Sequence, residues 1–152
     1  MSDVTLIYGP ATEKDLEIFI DLERKVANAR VYGPALQAEK ALDEIRKNAI
    51  YFLKQGDSVV GMAGYQKRPD GSIHITNVNI DPNYQRQGIA RAVMQYFLER
   101  HRDAKRIDLV THPENENAIK LYRSLGFEVE SRNENHFGDG EPRLVLALAS
   151  AK

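Results

Sequence analysis

The stretch YQRQGIARAVMQYFLER, residues 84–100, joins a polar turn that contains one glycine to a strongly amphipathic run. Its apolar positions recur at i, i+3, i+4, i+7 and i+8, the spacing of a helix that packs one face against a sheet. This face comprises Ala90, Val93, Met94, Phe97, Leu98 and His101. The pattern predicts a long helix that follows a turn at Gly88 and lies on a β-sheet.

Three strands in a row precede this helix. Runs rich in apolar and β-branched residues place them at Ile50–Leu53, Ser58–Tyr65 and Ser72–Ile80. The turn sequences Gln55–Asp57 and Arg68–Gly71 connect them as hairpins. We therefore expect three neighbouring antiparallel strands.

The amino-terminal third of the chain predicts a short strand and two helices. Val4–Tyr8 has the strand pattern, and Thr12 follows as the N-cap of a helix with Phe19 on its apolar stripe. A second helix follows Pro34 and ends near Asn48. Each helix has one apolar stripe, the pattern of a helix that covers a core.

A strand, a short helix and two further strands follow the amphipathic helix. They are predicted at Arg106–Thr111, Asn117–Leu125, Phe127–Arg132 and Arg143–Ala149. Gly126 stands where the left-handed C-cap of the short helix belongs. The order β-α-α-β-β-β-α-β-α-β-β describes one mixed sheet with helices on both faces, which is an α/β or α+β domain.

Length and composition narrow the class of protein. The chain has 152 residues, 42% of them hydrophobic, which predicts one domain over residues 1–152. Its 21 Lys and Arg against 22 Asp and Glu give a net charge of -1, so we expect neither nucleic acid nor an anionic membrane as a partner. Without cysteine, disulfides and thiolate nucleophiles are excluded, and the four histidines show no HExxH spacing, so no metal is predicted.

The amino terminus, MSDVTLIYGP, differs from a secretory signal peptide. Asp3 stands where such a peptide is basic, and no long apolar run follows. No stretch approaches the roughly 18 apolar residues of a membrane span. These features predict a cytoplasmic protein.

The turn Gln85–Ala90 has the properties of an anion site. A helix start presents unpaired main-chain N–H groups and the positive end of the helix dipole. Gly88 is free to adopt backbone angles closed to other residues, and Ala90 keeps the surface low. Arg86 and Arg91 add positive charge beside it. The turn predicts a cradle for a diphosphate, although the same residues also fit a plain helix entry.

A second motif, HPENENAIKLYRSLGF at residues 112–127, follows the next strand. Together with Q-x-x-G-x-A at Gln85–Ala90 it resembles the two signatures of the GNAT superfamily, the acyl-CoA-dependent N-acyltransferases, in the family's order. The matching positions of the second signature are Asn115, Ala118, Leu121, Tyr122, Gly126 and Phe127. The resemblance implies a mostly antiparallel sheet of six to seven strands, splayed in the middle, with helices on both faces.

The resemblance also implies transfer of an acetyl group from acetyl-CoA to a primary amine of a small molecule or peptide, in a ternary complex. The diphosphate would lie on the amides of Gln85–Ala90, and the pantetheine arm would pair with the strand edge Asn77–Ile80. An amide near Val78 or Asn79 would polarise the thioester carbonyl. The implied cofactor-binding residues are Val78, Asn79, Ile80, Gln85, Arg86, Gln87, Gly88, Ile89, Ala90, Arg91, Asn115, Ala118 and Tyr122.

Two residues are implied as catalytic. Tyr122 matches the general acid that protonates the departing thiolate, and the alternative is a core tyrosine with a satisfied hydroxyl. His74 lies where histone-directed relatives carry a general-base Glu, and the alternative is an ordinary strand histidine. Relatives that acetylate the N-termini of ribosomal proteins place a Glu where this chain has Val110, so the chain departs from that subgroup.

Three residues are candidates for contact with the acceptor amine. GNAT acceptors enter near the connection between the first two helices, which makes Glu23 and Tyr32 candidates. His136 lies on the loop Arg132–Glu141, which resembles the acceptor-side loop of the ribosomal-protein acetylating relatives and carries Phe137 and Glu141 at roughly matching places. Each candidate is otherwise an ordinary surface residue.

A protein that senses acyl-CoA without transferring the acyl group is the alternative function. The intact Tyr122 favours the enzyme. The last strand is apolar on both faces, since Leu144 and Leu146 alternate with Val145, and this fits a buried strand or a homodimer interface.

Overall fold

The computed structural model describes residues 4–6, 11–25 and 38–149. Its α-helices are α1 (Leu16–Lys25), α2 (Ala38–Lys47), α3 (Ile89–Arg100) and α4 (Glu116–Ser124). Its strands are β1 (Val4–Leu6), β2 (Ala49–Gln55), β3 (Ser58–Lys67), β4 (Ile73–Ile80), β5 (Arg106–Thr111), β6 (Glu128–Asn133) and β7 (Arg143–Ala149). None of the helices in these ranges is long and apolar enough to cross a membrane.

One sheet contains the strands, in the order β1-β2-β3-β4-β5-β7-β6. β4 and β5 are parallel, and the other neighbouring pairs are antiparallel. The predicted hairpins β2–β3 and β3–β4 are present. The predicted mixed, mostly antiparallel sheet is therefore confirmed.

The sheet splays apart at its centre. β4 pairs with β5 where Ile73–Ile75 lies beside Ile107–Leu109, and β4 then continues to Ile80 alongside β3. The register between β3 and β4 skips Thr76, which forms a β-bulge. The gap between β4 and β5 opens directly after this bulge.

Helices cover both faces of the sheet. Successive residues of β2 alternate between two cores, because Ile50 and Phe52 pack with α1 and α2 whereas Tyr51 and Leu53 pack with α3. We call these sides the α1/α2 face and the α3/α4 face. The core of the α3/α4 face also contains Ile73, Ile75, Val93, Met94, Phe97, Ile107, Leu109, Tyr122 and Leu146.

The ends of several elements differ slightly from the sequence prediction. Thr12 caps a short 3-10 turn, Glu13–Asp15, and α1 begins after it; the Thr12 hydroxyl accepts from Lys14 N at 3.3 Å. β1 is described only as far as Leu6, because residues 7–10 lie outside the described ranges. Gly126 follows α4 with a φ of 104°, as a left-handed C-cap requires.

His101 ends α3 and carries a buried polar atom. Its Nε2 has no hydrogen-bond partner in the described part of the chain, and its ring centre lies 4.4 Å from that of Tyr65. Burial, reinforced by the positive charges of Arg100 and Lys67, lowers the pKa of His101 below its usual value. The folded state therefore favours the neutral ring, and stability is lost as the pH falls below the usual histidine range.

We expect His101→Phe to reduce this pH dependence. The phenyl ring keeps the contact with Tyr65 and removes the unpartnered nitrogen, a gain on the order of 1 kcal/mol. Urea unfolding at pH 8 and pH 5 measures the effect, and the variant should lose less stability than the parent toward pH 5. His136→Gln, on an exposed loop, is the control and should behave as the parent does. Equal pH dependence in parent and His101→Phe would contradict the expectation.

Candidate functional site

A cleft of about 1370 Å³ lies where β4 and β5 separate. Its walls come from α1 and α2, the turn before α3, the helix α4 and the segment between β6 and β7. Beyond Ile75, β4 has no strand partner on its β5 side within the described ranges. The cleft thus gives a ligand access to a free edge of main-chain donors and acceptors.

The turn before α3 presents an open helix start to this cleft. Gln85 Nε2 donates to the Ile80 carbonyl at 3.0 Å and ties the turn to the end of β4. Arg86 and Gly88 both adopt left-handed angles, with φ of 65° and 80°. Gly88 is the N-cap of α3 and supplies no side-chain cap, and a Cβ there would meet no atom within 4 Å. The first N–H groups of α3 are therefore open to an anion such as a diphosphate.

Most of the predicted cofactor-binding residues converge on the cleft. Those that line it are Val78, Asn79, Ile80, Gln85, Arg86, Gly88, Ile89, Ala90, Arg91, Asn115, Ala118 and Tyr122. Gln87 is exposed and stands outside the lining. Arg91 Nη2 donates to Ser124 Oγ at 2.9 Å, which links α3 to α4 across the mouth of the turn.

Tyr122 lies on the inner side of α4, against the ring of Phe127 at a centre distance of 6.0 Å. It is 9% exposed and lines the cleft, and its hydroxyl makes no hydrogen bond to any residue that the structure describes. Burial raises the pKa of Tyr122 to about 12, so the phenol keeps its proton at neutral pH. Its position and protonation are those of a proton donor.

His74 lines the same cleft from β4, where it stands beside Asp108 of β5 in the parallel register. Its Nδ1 is 2.5 Å from Asp108 Oδ1. The sequence patterns do not predict the role of Asp108 or of the two arginines that bind it, Arg68 and Arg106. The available signal is an acidic residue between the apolar Ile107 and Leu109, but its partner depends on a register that the sequence does not reveal.

The predicted acceptor residues have different positions. Glu23 is buried on α1, lines the cleft and accepts from Asn79 Nδ2 at 3.5 Å. Tyr32 lies outside the described residues. His136 is exposed and stands outside the cleft lining, where its ring packs edge-on to Phe137. Phe137 lines the cleft in its place.

The segment between β6 and β7 supplies further cleft residues that the sequence analysis did not single out. Arg143 donates to Asp139 Oδ2 at 3.1 Å, and its guanidinium carbon lies 5.1 Å from the ring centre of Phe137. His112 Nε2 lies 2.8 Å from Glu141 Oε1 and fastens this segment to the turn after β5. No group of three or more metal-ligating side chains occurs in the ranges the structure covers.

Residues 17–127 match the acetyltransferase (GNAT) family, a span that contains the turn, the splayed strand and Tyr122. The chain belongs to this family. [Ribosomal protein bS18]-alanine N-acetyltransferase of Escherichia coli (strain K12) is 35% identical over 77 residues, which are 47% of this chain and 52% of that relative. The chain spans about half the length of the curated N-acetyltransferases that it matches.

Solved GNAT structures share the fold. The crystal structure of the ribosomal-protein-S18-alanine N-acetyltransferase from Escherichia coli has a TM-score of 0.80 at 22% identity, covering 98% of this chain and 95% of that one. The PaiA N-acetyltransferase from Thermoplasma acidophilum, in complex with coenzyme A, has a TM-score of 0.75 at 16% identity, covering 98% and 99%. At these identities the likeness shows the fold alone.

We expect Gly88→Ala to weaken acetyl-CoA binding about ten-fold, or roughly 1.4 kcal/mol. A left-handed angle costs a residue with a Cβ about 1–2 kcal/mol, so an alanine would favour turn conformations that direct the N–H groups away from the cleft. Gly56→Ala is a matched control, because Gly56 has a φ of 62° with nothing within 4 Å and belongs to the β2–β3 turn. Calorimetric titration and urea unfolding should show similar destabilisation in both variants but weaker binding only in Gly88→Ala. Equal affinity of the two variants for acetyl-CoA would contradict a diphosphate site at the turn before α3.

Proposed function

We propose that this protein transfers an acetyl group from acetyl-CoA to a primary amine of a small molecule or peptide. The observation that carries the proposal is that the left-handed turn before α3 and the proton-bearing Tyr122 face one cleft. Membership of the GNAT family supports the same chemistry, and the PaiA structure, of like fold, contains coenzyme A.

Main-chain groups would hold the cofactor. The N–H groups from Arg86 to Ala90 would bind the diphosphate, and Arg91 would add positive charge beside it. The edge of β4 that faces away from β3, at Val78–Ile80, would pair with the amides of the pantetheine arm. Bound acetyl-CoA supplies an activated acetyl thioester. A β4 amide at Val78 or Asn79 would polarise its carbonyl.

Tyr122 would donate a proton to the departing sulfur. Its phenol is protonated at neutral pH because burial raises its pKa to about 12. The reference pKa of a thiol is roughly 8.5, but the same apolar surroundings also destabilise a thiolate. Burial therefore favours a neutral thiol as the leaving group, and the hydroxyl of Tyr122, a residue that lines the cleft, would supply its proton.

The acceptor side of the cleft fits a positively charged amine. Glu23 and Glu44 contribute carboxylates to its lining, whereas Asp139 and the ring of Phe137 are already in contact with Arg143. The Escherichia coli relative is named for an alanine of ribosomal protein bS18, so a peptide α-amine is the first acceptor to test. An α-amine has a pKa of roughly 7.8 and a lysine side chain one of roughly 10.4, so at pH 7 a larger fraction of the α-amine is already in the neutral, reactive form.

The site is built from elements that range from α1 to β7, which supports one domain over residues 1–152.

A thiol-release assay tests the proposal. The protein is mixed with acetyl-CoA and a panel of peptides with free N-termini, amino-blocked lysine peptides, polyamines, aminoglycosides and amino acids. Turnover that depends on one class of amine supports the transferase. Saturable acetyl-CoA binding with no turnover across the whole panel overturns it in favour of an acyl-CoA sensor.

We expect Tyr122→Phe to lower kcat by about 100-fold, because the variant removes the proton donor. The affinity for acetyl-CoA, measured by calorimetry, should change little, since the ring remains. Tyr96→Phe is the matched control: Tyr96 lies on α3 outside the cleft lining, and its hydroxyl accepts from Arg100 at 3.2 Å. A Tyr122→Phe variant as fast as Tyr96→Phe would exclude this role.

A further inference from the structure

We propose that Asp108 is a positioning residue that holds His74 with its Nε2 free to accept the proton of the attacking amine. The inference rests on the proposed function and adds to it a residue that positions the proton acceptor. The two residues are neighbours in the parallel register between β4 and β5, at the closed end of the splay. His74 Nδ1 lies 2.5 Å from Asp108 Oδ1.

Alternation along the strands places this pair opposite the apolar core of the α3/α4 face. Ile73 and Ile75, on either side of His74, pack into that core, and so do Ile107 and Leu109 on either side of Asp108. The side chains of the pair therefore lie on the α1/α2 face. Asp108 is buried, whereas His74 is partly exposed and lines the cleft.

The two oxygens of Asp108 have different partners. Oδ2 accepts from Arg68 Nη1 at 2.8 Å and from Arg106 Nε at 2.9 Å, and Oδ1 faces His74. Arg106 in turn binds Glu130 in a two-pronged contact of 2.7 and 2.8 Å. The arginines therefore use one oxygen and leave the other to the imidazole. Because Oδ1 contacts only the imidazole among these partners, it can fix the orientation of the His74 ring.

Asp108 is kept as a carboxylate. Burial alone would raise its pKa, but hydrogen bonds from Arg68, His74 and Arg106 outweigh burial and hold the pKa below its usual range. A carboxylate can only accept, so the neutral ring of His74 carries its proton on Nδ1. The lone pair then lies on Nε2, which makes no hydrogen bond to any residue within the described ranges.

The proton balance of the step is complete. As the amine nitrogen bonds to the acetyl carbon and the carbon–sulfur bond breaks, the amine proton passes to His74 Nε2, directly or through one water. The Tyr122 proton passes to the sulfur. His74 then releases its proton to solvent and Tyr122 takes one from solvent, which restores both groups; Asp108 remains a carboxylate throughout and stabilises the imidazolium.

Long-range proton–nitrogen NMR of the parent protein tests the geometry without any turnover. We expect the neutral His74 ring to show the Nδ1–H tautomer. The Nε2–H tautomer in the parent would overturn the proposal. Asp108→Asn should lose the single tautomer, whereas Glu130→Gln, which removes a charge from the network but leaves the Oδ1 contact in place, should keep it.

Kinetics with the best amine of the thiol-release panel tests the role. We expect His74→Gln to lower kcat by about 100-fold and Asp108→Asn by about ten-fold, with KM for acetyl-CoA unchanged and Glu130→Gln near the parent. Circular dichroism and urea unfolding check that each variant folds. An active parent with Asp108→Asn or His74→Gln at the parent's kcat overturns the inference alone. A parent without turnover overturns the proposed function, and with it this role.

Discussion

The separation of β4 from β5 is the constraint on which the rest of the structure depends. The parallel pairing ends at the bulge of Thr76. Gly64 of β3 leaves room both for this bulge and for Ile50 of β2, because a Cβ there would collide with Ile50 Cδ1 and lie 2.6 Å from Asn77 Oδ1. Unpaired main-chain groups are costly when buried, so the splay is stable only beside water or a ligand that bonds to them. A sheet that closed here would bury this edge and abolish the cleft.

The turn before α3 leaves a second set of main-chain groups open. A serine or aspartate N-cap would supply a side-chain acceptor and stabilise the helix by roughly a few tenths of a kcal/mol over glycine, yet the chain has Gly88 at this position. Arg86 adopts a left-handed angle that costs a non-glycine residue on the order of 1 kcal/mol. Both features sacrifice local stability and keep N–H groups directed at the cleft. Burial of the two cores on opposite faces of β2 offsets the cost of these two features.

Local patterns in the sequence predicted the element order, the two covered faces and the turn at Gly88, because each depends on residues close in the chain. What escaped prediction depends on contacts between distant segments. His74 meets Asp108 across 34 positions, through a parallel register that no hydrophobic pattern specifies. In the loop between β6 and β7 the contacts are local, and the prediction holds in part: Phe137 packs against Arg143 and lines the cleft, whereas His136 stands outside the lining.

The two titratable groups of the proposed reaction lie on opposite faces of the sheet. Tyr122 belongs to the apolar core of the α3/α4 face, where burial keeps it protonated, and His74 lies on the α1/α2 face beside a carboxylate. Because the two environments differ, Tyr122 would act as the proton donor and His74 as the proton acceptor. Both residues line the cleft that the splay opens, so a thioester held at the edge of β4 would be accessible to Tyr122 from one face and to His74 from the other. The divergence of the strands would thus give the proton transfers a fixed direction.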